Sequence, residues 1–229
     1  MDPLHVSTFG LEPSGGNRRG TGSRSRWRSW LAASVAGFLL LGAYPGWLLW
    51  TDNLHVVKPN ELYRSGQMTA AELAATVKSK QIRSVINLRG PNPGTPWYDD
   101  EIRISTALGI EHADVALSAK REVTDEQIAQ LESLLQTLPK PILIHCQGGS
   151  DRAGFVSAFY LNRFEKVPAA EAGKQLTVWF GHIPYLFKSE TIAMDRSFEK
   201  YCVVGGSSVE PGTNRTSVVS GLTGSATNR

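Results

Sequence analysis

Cysteine is scarce in this chain. Two residues among 229, Cys146 and Cys202, exclude a disulfide scaffold and any multi-cysteine zinc site. Net charge is also low, and a formal +3 gives no electrostatic case for nucleic acid as a partner. There is no internal repeat. With 41% hydrophobic residues and 22 Gly, the composition fits neither a disordered chain nor a collagen-like one. The length allows one ordinary domain with extensions and excludes two large ones.

One stretch lacks charge altogether. No residue from Trp30 to Trp50 (WLAASVAGFLLLGAYPGWLLW) is charged at neutral pH, and the next charge is Asp52. As a helix this run spans about 30 Å, the thickness of a bilayer's hydrocarbon core. Arg18, Arg19, Arg24, Arg26 and Arg28 precede it with no acid between them, and Trp30, Trp47 and Trp50 stand where interfacial aromatics belong. Gly42, Pro45 and Gly46 suit a membrane helix better than a buried globular one.

The expectation is one transmembrane helix over 30–50 with the bilayer as its partner. The arginines stay cytoplasmic, so the chain after Asp52 is exported to a periplasmic or other extracytoplasmic space. Leu31–Leu41 has signal-peptide length, but no A-x-A cleavage site follows, which favours an anchor over a cleaved signal and a secreted product. Residues 1–29 read as a disordered basic arm and 204–229 as a disordered tail. One domain remains, 54–203.

Helix and strand signals alternate through that domain. Glu61–Ser65, Arg83–Leu88, Ile110–Leu117 and the continuously apolar Ile142–His145 read as strands. Thr69–Glu72 and Thr124–Gln127 are capping boxes, opening helices to about Lys80 and Leu138. Pro96 suits the first turn of a helix ending near Gly109. Further helices are expected over Phe155–Phe164, from Pro168 to before Gly181, and over Glu190–Tyr201. The fold class is α/β, a mostly parallel sheet flanked by helices, in which ligands bind beyond the carboxyl ends of the strands.

The turn after Ile142–His145 is such a place. It reads His145-Cys146-Gln147-Gly148-Gly149-Ser150-Asp151-Arg152, with Ala153 and Gly154 opening a helix. A cysteine and an arginine six residues apart are a weak signal alone. Here the cysteine ends a buried strand, glycines let the backbone approach closely, and a helix N-terminus adds positive potential. Such a loop can turn its N–H groups inward as an anion nest. The same field favours a thiolate at Cys146, and Arg152 offers a fork for two oxygens of a tetrahedral oxyanion. A thiolate beneath a bound phosphoryl group is a nucleophile aimed in line.

The segment ILIHCQGGSDRAG resembles the signature loop of protein tyrosine and dual-specificity phosphatases. LYRSGQ at Leu62–Gln67 and SVINLRG at Ser84–Gly90 are similar to a bacterial dual-specificity-like branch, and the likeness runs from about Val56 to Tyr201. The resemblance implies a phosphatase-like fold, a phosphocysteine at Cys146, phosphate held by Arg152, a loop ordered by His145, and neither metal nor cofactor. Gln147, Gly148, Gly149, Ser150, Ala153 and Gly154 complete the implied substrate site. Two positions depart from the family pattern. Ala153 replaces the Ser or Thr whose hydroxyl assists thiolate departure, and no aspartate lies in Ser118–Thr124, where the family's acid-bearing loop falls; Glu122 is its one acid.

The general acid is therefore open. Asp151 comes first, a carboxyl group beside the nucleophile, in a position resembling phosphatases that carry Asp before the Arg. Asp114, near the end of a neighbouring strand, comes second. Glu122 and Asp125 follow, although Asp125 reads more simply as a first-turn residue of a helix. Arg64 and Arg89 could line the pocket or be solvated strand ends. Trp97 and Tyr98 could wall an aryl substrate or be core. His182, after Gly181, could approach the site, although it reads more simply as a helix-terminal imidazole, and Cys202 reads as a small buried residue with a redox partnership to Cys146 as the alternative.

The expected partner is a phosphorylated protein or small phosphomonoester. Phosphotyrosine is favoured over polyanionic lipids because Gln147–Asp151 contains no lysine. A phosphate-binding pseudophosphatase and a phospholipid or phosphoinositide phosphatase remain as alternatives. Sulfur or arsenate chemistry is a distant third.

Overall fold

The computed structural model describes residues 50–184 and 190–204 throughout, and before them 30, 34, 37, 44 and 46–48. The helical residues 30, 34, 37 and 44 belong to a unit ending at Pro45, and a second compact unit begins at Gly46. Most of the expected span 30–50, all of the arm 1–29 and nearly all of the tail 204–229 lie outside the described residues. Among those described, no helix is long and apolar enough to cross a membrane.

The second unit is α/β, as the alternating signals required. Five strands form one sheet: β1 His55–Lys58, β2 Leu62–Ser65, β3 Ser84–Asn87, β4 Glu111–Asp114 and β5 Ile142–His145, in the order β1-β2-β5-β3-β4. β2, β5, β3 and β4 run parallel, and β1 adds an antiparallel edge through a turn in which Asn60 has φ 60. The helices are α1 Ala70–Lys80, α2 Pro96–Leu108, α3 Asp125–Thr137, α4 Asp151–Arg163, the short α5 Ala169–Ala172 and α6 Ile192–Phe198.

Strand alternation divides the core between the two faces of the sheet. Leu62, Ile86, Ile142 and Ile144 pack against Leu131 and Leu135 of α3, Phe155 and Phe159 of α4 and Met194 of α6. Tyr63, Val85 and Leu143 pack against Leu73 and Val77 of α1. β5 is buried at every position, so its continuous ILIH run needs no polar face.

Both capping boxes form. The side chain of Thr69 accepts from Glu72 N–H while the Glu72 carboxylate accepts from Thr69 N–H, and Thr124 and Gln127 make the same exchange. Pro96 is the first residue of α2.

Three segments differ from expectation. The strand expected over Ile110–Leu117 ends at Asp114, because Asn87 closes β3 with its own side chain, bonding Gly90 O and Arg89 N–H, and leaves no straight partner beyond. The helix expected at Phe155 starts at Asp151, immediately after the signature loop. The long helix expected after Pro168 stops at Ala172 and continues as two 3-10 turns, Gly173–Gln175 and Val178–Phe180. Leu62–Ser65, Ser84–Asn87 and Ile142–His145 sit within their expected strands. β1 has no counterpart among the expected strands; its half-exposed HVVK shows no clean alternation.

The register places Ser65 beside His145, His145 beside Asn87, and Asn87 beside Asp114. This row is the carboxyl edge of the sheet, and the loop from Cys146 to Arg152 rises from its centre.

Replacing Thr124 by Ala removes the N-cap of α3 and leaves Gln127 N–H without its partner. Urea unfolding of Thr124→Ala is expected to show a loss of about 1 kcal/mol; an unchanged midpoint would contradict this role for the cap.

Candidate active site

The loop after β5 is held by its carbonyls. Gln147 O accepts from Gln67 N–H at 3.0 Å, and Gly148 O from the Asn53 side-chain amide at 3.0 Å. Gly149 O and Ser150 O accept from Arg64 Nη2 at 2.6 and 3.0 Å. Four consecutive carbonyls are thus tied to the surrounding scaffold. In a trans peptide the C=O and the next N–H point to opposite sides. The N–H groups of Gly148, Gly149, Ser150 and Asp151 therefore face away from that scaffold, and none has an acceptor among the described residues. This is the anion nest expected from the sequence, produced by donors outside the loop.

Arg64 is the chief of those donors. It is fully buried at the end of β2, gives Nη1 to the backbone and side-chain oxygens of Gln175, and lies 4.4 Å over the Phe180 ring. Burial pulls its pKa down to about 10, against the upward pull of Cys146 and Asp151, so it stays cationic at neutral pH. Of the two sequence readings of Arg64, pocket wall or solvated strand end, the structure gives neither. It is an internal strut.

Two glycines permit the fit. Gly149 has φ +71, and a Cβ there would lie 2.6 Å from Gly66 N and 2.7 Å from Ser65 C. A Cβ on Gly154 would meet Gln175 O at 2.9 Å, where the first 3-10 turn crosses α4. Asn53, 3% exposed and also in the left-handed region at φ 49, bonds Gly148 O, Phe180 O and His55 Nε2.

Cys146 is 2% exposed at the start of the loop, its N–H directed to Ser65 O at 3.4 Å. Arg152, in the first turn of α4, donates Nη1 to Leu117 O at 3.4 Å, while its buried Nε has no partner. A buried guanidinium N–H without an acceptor fits an oxyanion site. Ala153 is fully buried in the core beside the loop.

His145 is also buried. Its Nε2 lies 3.0 Å from a Glu101 carboxylate oxygen, and His112 Nε2 approaches the same carboxylate at 2.8 Å. Gln67 Nε2 adds a third donor at 3.2 Å. Burial raises the Glu101 pKa, but the bonds from His112 and His145 outweigh it and bring it down to about 2. An ionised carboxylate only accepts, so His145 carries its proton on Nε2. Glu101 has no counterpart in the sequence reading; it lies on α2, far from the motif, and no local spacing links it to His145.

Asp151 and Asp114 occupy different surroundings. Asp151 Oδ1 is 2.7 Å from His182 Nδ1, and His182 Nε2 is 2.9 Å from Asp195. Burial lowers the His182 pKa, yet the bonds to Asp151 and Asp195 overcome it and raise it to about 9. His182 is therefore an imidazolium linking the loop's helix to α6, and of its two readings the structure favours the approach to the loop. Asp114 accepts from Tyr98 Oη at 2.6 Å and from Asn87 Nδ2 at 2.7 Å. Glu122 is half exposed near Arg196, and Asp125 pairs with Lys200 and Tyr201 at the start of α3. Cys202 is a free buried thiol, pushed up to about 12 by burial.

The tyrosine phosphatase family matches the chain over residues 41–166, more than half of its length. The chain belongs to this family. It is a phosphatase with a phosphatase-like α/β domain. The fold is shared with the core catalytic domain of the PP-IP phosphatase SIW14 from S. cerevisiae, solved with citrate, at a TM-score of 0.51 and 18% identity, covering 64% of this chain and 86% of that one. PTPMT1 is similar at a TM-score of 0.50 and 14% identity, covering 68% of this chain and 99% of its own. P. aeruginosa TpbA in complex with pTyr gives 0.49 at 18% identity, over 69% of this chain and 92% of that one. No curated protein matches the chain by sequence.

The His182 pair carries a pH dependence. A folded-state pKa of about 9, above the ordinary 6.5, stabilises the fold fully below pH 6.5 and loses that contribution as pH rises through 9. Melting temperature is expected to fall over this interval in wild type and to show a smaller alkaline drop in His182→Gln. Arg64→Met leaves the Gly149 and Ser150 carbonyls without their buried donor and is expected to destabilise by about 3 kcal/mol in urea.

Proposed function

We propose that this chain hydrolyses phosphomonoesters, phosphotyrosine or a related phosphoprotein above all, through a phosphocysteine at Cys146. The observation that carries the reading is the loop itself: four carbonyls tied outward, four N–H groups without acceptors, and the unpartnered buried Nε of Arg152 at the loop's end. The inward N–H groups of Gly148–Asp151 and the Arg152 fork bind the non-bridging oxygens. The Cys146 thiolate attacks phosphorus, the S–P bond forms as the ester P–O bond breaks, and a carboxylic acid gives its proton to the leaving oxygen. Water then attacks phosphorus and returns the thiolate.

The leaving-group proton is assigned to Asp151 because it stands in the first turn of the helix that follows the loop. A second reading, Asp114, is favoured by the ion pair with the His182 imidazolium, which holds Asp151 as an acceptor in the resting site. Leaving-group dependence separates them. The true acid, changed to Asn, loses far more rate on alkyl than on nitrophenyl phosphates, and the other does not.

Ala153 offers no hydroxyl for the second step. Slow hydrolysis of the intermediate follows, with a burst of nitrophenol stoichiometric with enzyme before steady state. In the full-length chain, Cys146→Ser is expected to abolish both burst and turnover. Phosphopeptide binding without any burst would instead support the pseudophosphatase alternative.

The charge-free run Trp30–Trp50 behind five arginines supports an anchored protein with its catalytic domain exported. Carbonate-resistant membrane association, with the domain accessible to protease only from the exported side, is the expected result. Release of the chain into the soluble fraction would overturn it.

A further inference from the structure

Arg89 is a cation for which the chain supplies no ion-pair partner among the described residues. It follows Leu88, whose N–H bonds His145 O at 2.9 Å, so its backbone lies beside the start of the signature loop. Its own N–H is fixed by the Asn87 side chain at 2.9 Å. The guanidinium carbon lies over the Trp97 ring, 3.7 Å from its centre, and Nη1 donates to Gln67 Oε1 at 3.1 Å. Gln67 in turn binds the loop through Gln147 O.

A guanidinium has five N–H donors, and this is the one hydrogen bond its side chain makes among the described residues. The Trp97 ring and the Gln67 bond hold the guanidinium in place and leave its remaining N–H donors for an anion. The acid it senses within the fold, Glu101, is occupied by His145, His112 and Gln67. Arg89 also senses the Arg152 charge and that of Cys146, which places it at the rim of the same site.

We propose that Arg89, held by Trp97 and Gln67, forms a second anion subsite that selects phosphotyrosine segments carrying a carboxylate beside the phosphorylated residue. A carboxylate matches one fork bidentately. A second phosphate is the weaker fit, because polyphosphate recognition gathers several cations and the loop Gln147–Asp151 includes no lysine. The proposal rests on the phosphatase reading for its substrate class, and the two can fail separately.

The test compares two phosphotyrosine peptides, one flanked by glutamate and the other by glutamine, with the full-length chain and Arg89→Met. Wild type is expected to favour the acidic peptide about tenfold in kcat/KM, carried by KM, as one charge pair of about 1.4 kcal/mol requires. Arg89→Met is expected to bring that ratio near one, Arg89→Lys to keep part of it, and 0.5 M salt to collapse it in wild type. The wild-type salt response keeps the test informative if Arg89→Met folds poorly. A wild-type ratio near one, or an unchanged ratio in Arg89→Met, overturns the subsite. A larger preference for a bisphosphate over its matched monophosphate than for acidic over neutral peptide also overturns it. If wild type turns over neither peptide, the phosphatase reading fails; the ratio of the two peptides' dissociation constants, measured on Cys146→Ser, then decides the subsite by the same criterion.

Discussion

The site depends on one buried cation. Arg64 sits at zero exposure under the loop and donates to Gly149 O, Ser150 O and both oxygens of Gln175. Burying a guanidinium is unfavourable unless its donors are met, and here both terminal nitrogens are met by oxygens, two of them loop carbonyls, while Nε has no partner among the described residues. Stabilising the cation and orienting the loop are one interaction. Asn53 and Gln67 N–H complete it from the other side, and the near-contact of Gly149 with Ser65 and Gly66 leaves no room for a second loop conformation with a side chain at that position.

Around this strut the charges are arranged in pairs that cross elements. Glu101 on α2 holds His145 at the end of β5 together with His112 on β4, so the residue preceding the thiol is fixed by a helix and by the far edge strand. His182 ties Asp151 at the start of α4 to Asp195 on α6. Each link joins residues far apart in sequence, so the loop's geometry is a property of the whole domain. Ala153 is buried behind it.

Much of the fold was legible because its signals are local. The ILIH run, the two capping boxes and Pro96 each encode an element within a few residues, and each formed where expected. The loop was legible for the same reason, since strand, glycines, Arg152 and helix are contiguous. Asn53 and Glu101 were missed, and Arg64 and His182 left between readings, because their roles are set by partners far away along the chain, which local spacing does not encode. β1 escaped because an edge strand with 52% exposed Val56 has no two-sided burial to impose a pattern.

Outward-held carbonyls turn the amides of Gly148, Gly149, Ser150 and Asp151 towards the inside of the loop, where an oxyanion would sit. Amide nitrogen–proton NMR of the full-length chain during titration with tungstate reads this arrangement. These four resonances are expected to shift together and saturate at one stoichiometric site, and the response is expected to be lost in Arg64→Met even where the fold is retained. Saturable binding that moves other amides and leaves these four in place would overturn the arrangement.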